Sequence, residues 1–320
     1  MSKSRWGQAI DQMQARIDQT LSALKTEFPH WADSSTGKWT TTADGDWTGG
    51  AWPGMLWLLA RRSGQTKYLN AARLWSSRLK PRAHLQTAFK GFGFYYGAAL
   101  GDVLCKDKDA ALLALDAATS LKRQFDCRLG LIPLGDDAEE SKDVGNSFSS
   151  IDSLQAVPLL YWAAAKTSDS SYAGIAARHT TRVLDIHMRP DGSIVQSSEL
   201  SLATGKVVRH FTHKGLSDSS VWGRAQASAL VYTAIALAHH PHEKRWIDRL
   251  IAGADTGGLR MCQPAWLHSG TSMIPPSQSQ RRTPRRPQSR ALRCSSSGNS
   301  RRPRRCAPSI VRQGNIQRRP

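Results

Sequence analysis

Between residue 5 and about residue 255, apolar side chains recur every three to four positions, and the strict alternation of a half-buried strand is scarce. That period puts the apolar residues on one face of a helix, so the chain reads as helix after helix and the expected fold class is all-α. The pattern predicts nine helices, over 4–25, 53–62, 67–79, 92–104, 110–125, 150–165, 172–187, 219–238 and 243–252. A loose repeat runs through them. The stretch Gly64-Gln65-Thr66-Lys67-Tyr68-Leu69-Asn70-Ala71-Ala72 is echoed over 167–177, and more weakly over 106–111. Each copy follows an aromatic-rich helix and opens a more amphipathic one. Helices paired in this way predict an array of α-hairpins, with the apolar helices inside and the amphipathic ones outside. Loops before the inner helices, at 44–50, 90–93, 146–152 and 213–224, are then expected to meet at one end and form a pocket.

Those loops carry chemistry. The run Asp46-Trp47-Thr48-Gly49-Gly50-Ala51-Trp52-Pro53-Gly54-Met55-Leu56-Trp57 sets indoles and glycines where a loop turns into an apolar helix. Glycine allows a ligand close to the backbone, proline suits a first helical turn, and an indole face packs on a pyranose ring. Trp47 or Trp52 is therefore expected as a sugar-stacking platform; the competing expectation makes Trp52, Leu56 and Leu59 a buried stripe. In Ser149-Ser150-Ile151-Asp152 the carboxylate falls in a first helical turn beside the pocket. Burial among aromatics would hold its proton to higher pH and suit it to general acid and base work. The alternative is a capping box, with Ser149 and Asp152 satisfying backbone N–H groups. The run from His213 and Lys214 to Trp222 and Arg224 gathers two cations, an imidazole and an indole around one helix start. Arg224 can grip a carboxylate with two parallel hydrogen bonds; its other expected use is an ion pair with Asp218 or Asp152.

Composition narrows the function classes. No apolar run is long enough to span a bilayer, and the first eleven residues hold no uninterrupted apolar stretch for a signal peptide. A soluble, cytoplasmic protein is expected, with no membrane partner. Cys105, Cys127, Cys262, Cys294 and Cys306 lack CxxC spacing or histidine partners, so no metal site is expected. Phosphate-loop, HExxH and GxSxG motifs are missing as well. The formal net charge is +19, but thirteen arginines and no acid fall between Arg281 and Pro320. Without them the excess is roughly +6, ordinary for a domain of this size. The tail has no interleaved aromatics for base stacking, so no specific nucleic-acid partner is expected.

Four ordered segments resemble the unsaturated glucuronyl hydrolases, glycoside hydrolase family 88. They are Trp47-Thr48-Gly49-Gly50-Ala51-Trp52-Pro53-Gly54, Ile151-Asp152-Ser153-Leu154-Gln155-Ala156, Arg189-Pro190-Asp191-Gly192-Ser193, and Gly215-Leu216-Ser217-Asp218-Ser219-Ser220-Val221-Trp222-Gly223-Arg224-Ala225-Gln226. The resemblance covers about 39–252. It implies an (α/α)6 barrel of the six-hairpin glycosidase kind, acting on an unsaturated uronyl oligosaccharide without metal or organic cofactor. The implied reaction hydrates the C4=C5 vinyl ether of a terminal 4,5-unsaturated uronic acid. By position Asp152 is the implied acid and base, Arg224 and Trp222 are substrate-site residues, and Trp47 or Trp52 is the platform; His213 is carried as a substrate-site candidate from the run around Arg224.

The departures are specific. Where the family has a His-Asp pair before its Gly-Phe, this chain has Phe89-Lys90-Gly91-Phe92, so a second carboxylate is missing and Lys90 stands in its place. A cation there would depress the pKa of Asp152. Lys214 replaces the family's glutamine and Gln196 a family histidine, and both are carried as substrate-site positions. Nine helices leave the barrel about three short, giving an incomplete barrel domain at 1–255 and a basic Arg/Pro/Ser-rich, disordered tail at 256–320. An abrupt change of composition without a linker is what a truncated or frameshifted reading frame would give. Two other functions fit a helical barrel. One is an inactive remnant that binds polyanions through its tail; the other is a sugar epimerase or isomerase, which needs paired histidines at the cavity, whereas His179 and His187 are expected on an outer helix. Oligomeric state is left open.

Overall fold

The computed structural model describes residues 5–138, 140–141 and 147–256. The expected tail beyond Thr256, and Asn146 at the start of one pocket loop, lie outside them. Each of the nine expected helices is present. Helix α1 (Arg5–Ala23) leads into a hairpin of β1 (Phe28–Ala32) and β2 (Trp39–Thr42). Then come α2 (Ala51–Ser63) and α3 (Thr66–Ser77), followed by one inner helix in three parts: α4 (Lys90–Phe94), a π turn (Tyr95–Ala99) and α5 (Leu100–Cys105). Helix α6 (Lys108–Arg123) precedes β3 (Phe148–Ser150), a 3-10 turn (Ile151–Gln155) and the pair α7 (Ala156–Thr167) and α8 (Ser170–His187). Strands β4 (Ser197–Leu200) and β5 (Val207–Phe211) precede α9 (Gly223–His239) and α10 (Lys244–Asp255). The eighth expected helix starts at Gly223 rather than 219.

The repeat in the sequence is the joint between paired helices. Gly64 closes α2 at φ 67 and donates its N–H to the Ala60 carbonyl, a left-handed cap that glycine adopts without strain. Lys106 and Ser168 take the same left-handed conformation at the ends of α5 and α7. The next residue in each of these two joints is an aspartate that caps the outer helix: Asp107 accepts from the Ala110 N–H at 2.9 Å and Asp169 from the Ser171 N–H at 2.9 Å. Helices α2, α4–α5, α7 and α9 pack on one another as the inner layer, while α3, α6, α8 and α10 lie outside them. The core between the layers is rich in aromatics, with Trp52, Trp57, Trp75, Tyr68 and Phe28 fully buried. Trp57 Nε1 reaches into the π turn and donates to the Gly97 carbonyl at 3.0 Å.

Five short strands depart from the purely helical expectation. β3, β4 and β5 form an antiparallel sheet in which Ser149 pairs with Ser198 and Ser197 with Phe211. Its serines are buried on both faces, so no alternation marks them in the sequence. The sheet matters because it ties the loop before α7 to residues 196–213. On the other side, Gly91 at the start of α4 meets the 3-10 turn backbone to backbone. A Cβ there would lie 2.3 Å from the Ala156 Cα, so no larger residue fits without moving one element. Among the described residues no helix is long and apolar enough to cross a membrane.

Candidate active site

Strand β3 delivers Asp152 into the 3-10 turn, and the turn is capped by a different residue. Ser150 Oγ accepts from the Asp152 N–H at 3.2 Å, and Ser149 Oγ lies 2.9 Å from His187 Nε2. The capping-box expectation is therefore replaced by a cap at Ser150, which leaves the Asp152 carboxyl free. It turns to α9, where Ser228 Oγ donates to Oδ1 at 2.8 Å. Asp152 is 3% exposed. Burial pushes its carboxyl above the usual carboxylate range; the Ser228 hydroxyl and the Arg224 charge oppose this, Glu140 reinforces it, and His213 opposes it.

Arg224 sits one helical turn before Ser228 on α9, so both lie on the same face. Its guanidinium lies 4.1 Å from the Trp222 ring centroid and 5.5 Å from that of Trp47, which draws the loops before α2 and α9 together. Among the described residues it makes no ion pair. Asp218, the expected partner, instead accepts the Thr212 N–H at 2.9 Å through Oδ1. A cation sandwiched between indoles and unpaired by carboxylate is suited to an anionic ligand.

His213 Nε2 lies 2.9 Å from Glu140 Oε1 and Nδ1 lies 3.4 Å from Ser197 Oγ. With Nε2–H donating to that carboxylate, Nδ1 of the neutral ring accepts from the serine hydroxyl. Gln196 Nε2 is 3.1 Å from the same His213 Nε2; two donors cannot bond, so Gln196 acts through its oxygen. That oxygen accepts the N–H groups of His213 at 3.3 Å and Lys214 at 3.1 Å and the Thr212 hydroxyl. Gln196 is buried and pins this loop, while the Lys214 side chain is exposed at its edge.

Two expected substrate residues fall elsewhere. Trp52 is 2% exposed and packs edge-on to Trp75 with centroids 6.2 Å apart. It belongs to the buried stripe, and no sugar reaches its face. Lys90 is also buried; its Nζ donates to Ser120 Oγ at 2.7 Å across the α4–α6 contact. Burial lowers its pKa to about 8, with the charges of Asp137 and Asp116 opposing, and the leading charges on Asp152 are those of Arg224, Glu140 and His213. Lys90 and Trp47 share only a cavity of about 10 Å3, room for one water. A larger cleft of about 580 Å3 lies on the outer helices α3 and α6, lined by Arg73, Lys80, Asp107 and Asp116, away from these loops. Sequence reasoning missed Glu140 and Ser228. The signal for Ser228 was its i+4 spacing from Arg224; Glu140 had none. His179 and His187, on the outer helix α8, are fully buried: His179 sits between the Ile132 N–H and the Ser153 carbonyl, His187 between Ser149 Oγ and the Val195 carbonyl. Neither offers a nitrogen to a sugar. Among the described residues no cluster of potential ligands fits a metal ion.

No family model matches the chain. It is 31% identical over 230 residues to the unsaturated glucuronyl hydrolase of Bacillus sp. (strain GL1), covering 69% of this chain and 59% of that relative. To the unsaturated chondroitin disaccharide hydrolase of Streptococcus pneumoniae it is 27% identical over 231 residues, or 71% and 57% of the two lengths. The crystal structure of the Bacillus sp. GL1 unsaturated glucuronyl hydrolase, described as responsible for the degradation of glycosaminoglycan, superposes with a TM-score of 0.71 at 28% identity, over 80% of this chain and 68% of that one. An unsaturated glucuronyl hydrolase specific for heparin has the same fold, with a TM-score of 0.71 at 23% identity over 78% and 66% of the two chains. The mostly helical fold with small sheets is thus the six-hairpin glycosidase fold. The chain spans less than two thirds of the length of these curated relatives.

Proposed function

The chain belongs to the unsaturated glucuronyl hydrolase family, and from that premise we propose that it removes a 4,5-unsaturated uronic acid from the non-reducing end of an oligosaccharide, with Asp152 as acid and base. Arg224 holds the uronyl carboxylate, and Trp47 and Trp222 flank the adjoining sugar. Lys214 supplies a polar contact at the edge, and His213, held by Glu140 and Ser197, positions that loop. Asp152 gives its proton to C4, and positive charge develops at C5 and the ring oxygen. The carboxylate so formed takes a proton from water, whose oxygen bonds to C5. The resulting hemiketal opens by breaking the C5–O5 bond, leaving a ketone at C5 and a hemiacetal at C1. Collapse of that hemiacetal breaks the bond to the leaving sugar, so one water is consumed in all.

One observation carries this reading: the Asp152 carboxyl is buried, hydrogen-bonded through a neutral hydroxyl, and held protonated to higher pH. A carboxylic acid that keeps its proton above the usual carboxylate range is suited to C4 protonation. The test follows the ultraviolet absorbance of lyase-generated disaccharides, since hydration destroys the conjugated enol ether. Absorbance falls with the wild-type chain, and Asp152→Asn slows the loss by at least about 100-fold, the scale of a removed general acid, while thermal unfolding is unchanged. A variant that keeps its rate excludes Asp152 as the acid. A wild-type chain that consumes no lyase product favours the inactive-remnant alternative.

A further inference from the structure

We propose that Trp31 and His30 form a second sugar-stacking position outside the hydrolytic centre, which takes a pyranose further toward the reducing end of a longer oligosaccharide. The inference rests on the proposed reaction for its direction along the chain of sugars, but its geometry is independent. In the β1–β2 hairpin Pro29 pairs with Thr41 and Trp31 with Thr40, so His30 is an extra residue in β1. A bulge of this kind bends the strand and re-aims its side chains. His30 Nδ1 is held by Thr48 Oγ1 at 2.6 Å. Its ring lies edge-on to Trp47 at 6.2 Å and tilted against Trp31 at 4.5 Å. Trp47 in turn carries the Arg224 guanidinium.

The result is an unbroken strip from Arg224, whose charge acts on Asp152, through Trp47 and His30 to Trp31. At its outer end Trp31 is 58% exposed. The hairpin does not need that indole to anchor it, because Phe28 at the other end of β1 is fully buried against Trp75. A single exposed apolar residue is ordinary; an exposed indole continuous with the site is a platform. Trp6 gives the contrast, being 79% exposed on α1 and in no ring contact with the strip. Indole faces take the apolar C–H face of a pyranose, so the sugar at Trp31 is recognised through that face.

The test compares unsaturated di- and tetrasaccharides from one lyase digest. The wild-type chain is expected to favour the tetrasaccharide in kcat/KM by about three- to tenfold, the worth of one aromatic contact, through KM rather than kcat. Trp31→Ala erases that ratio and Trp31→Phe restores most of it. A wild-type ratio of one, or a ratio unchanged in Trp31→Ala, overturns the proposal. If neither substrate is consumed, the proposed reaction fails and the stacking position is judged by calorimetry with the same sugars. Tighter tetrasaccharide binding, weakened three- to tenfold in Trp31→Ala, then supports it, and equal affinities for both sugars overturn it.

Discussion

Burial holds the proton on Asp152 and Glu140 acts in the same direction, while the Ser228 hydroxyl, Arg224 and His213 all favour the carboxylate. Two of these groups, Glu140 and Ser228, make no proposed substrate contact of their own, and they have opposite signs. In the proposed reaction the protonated acid is the active form, so kcat/KM falls as pH rises through the pKa of Asp152. Glu140→Gln removes a like charge, stabilises the carboxylate and moves that alkaline limb to lower pH. Ser228→Ala removes a hydrogen bond to the carboxylate and moves it to higher pH. A pH–rate profile of each variant checks the pair; limbs that move the same way, or stay put, contradict the assignment. That Asp152, Trp222 and Arg224 lie together was legible because each falls in a local motif at a loop-to-helix junction. Glu140 was not, since it follows the acid-rich run Asp136-Asp137-Ala138-Glu139 and only the fold brings it to His213. Lys90 misled for the same reason: a lone cation at a family carboxylate position looks like a substrate contact until packing directs it to Ser120.

The hairpins were legible for a reason that does not extend to the strands. A helix of a dozen residues repeats its apolar period several times, whereas β3 has three residues and β4 four, too few for a period to declare itself. Yet the small sheet decides where Gln196 and His213 lie relative to Asp152. Helix α8, legible in outline, hid its most consequential residues. His179 and His187 are enclosed and neutral, burial holding their pKa values at about 4 and about 3 against an ordinary 6.5 despite hydrogen bonds to the Ser153 and Val195 carbonyls. Below pH 6.5 the unfolded chain binds protons that the folded chain refuses, so stability is complete above that pH and falls with acid until the folded pKa values are reached. The stability lost at the acid end is up to ~3 kcal/mol for His179 and up to ~5 kcal/mol for His187. The raised pKa of Asp152 works the other way, but it is one group against two. Thermal scans are expected to show Tm lower by roughly 10 °C or more at pH 4 than at pH 7; a flat profile would mean that these histidines open to water.

At the scale of the whole molecule, charge and chemistry are carried by different parts of the chain. The proposed substrate is anionic and the chain is strongly basic, so affinity for polyanions and turnover of unsaturated sugars are easily confused. They separate by mechanism. Retention on a polyanion depends on how many phosphate-like or sulfate-like charges the protein neutralises, and weakens steeply with salt as counterions return. In the proposed reaction uronyl recognition depends on Arg224, whose guanidinium lies against the Trp47 and Trp222 rings and whose charge acts on Asp152. Thirteen arginines lie in Arg281–Pro320, and the rest of the chain carries an excess of roughly +6. A chain ending at residue 280 is therefore expected to elute from an immobilised polyanion at much lower salt than the full chain, while kcat/KM on an unsaturated disaccharide stays within about twofold, because the shortened chain keeps every residue of the proposed chemistry. Arg224→Ala is expected to give the converse result, with turnover lost and retention kept. If the shortened chain keeps its retention, the polyanion affinity belongs to the helical part; if it loses turnover, residues beyond 280 contribute to the site.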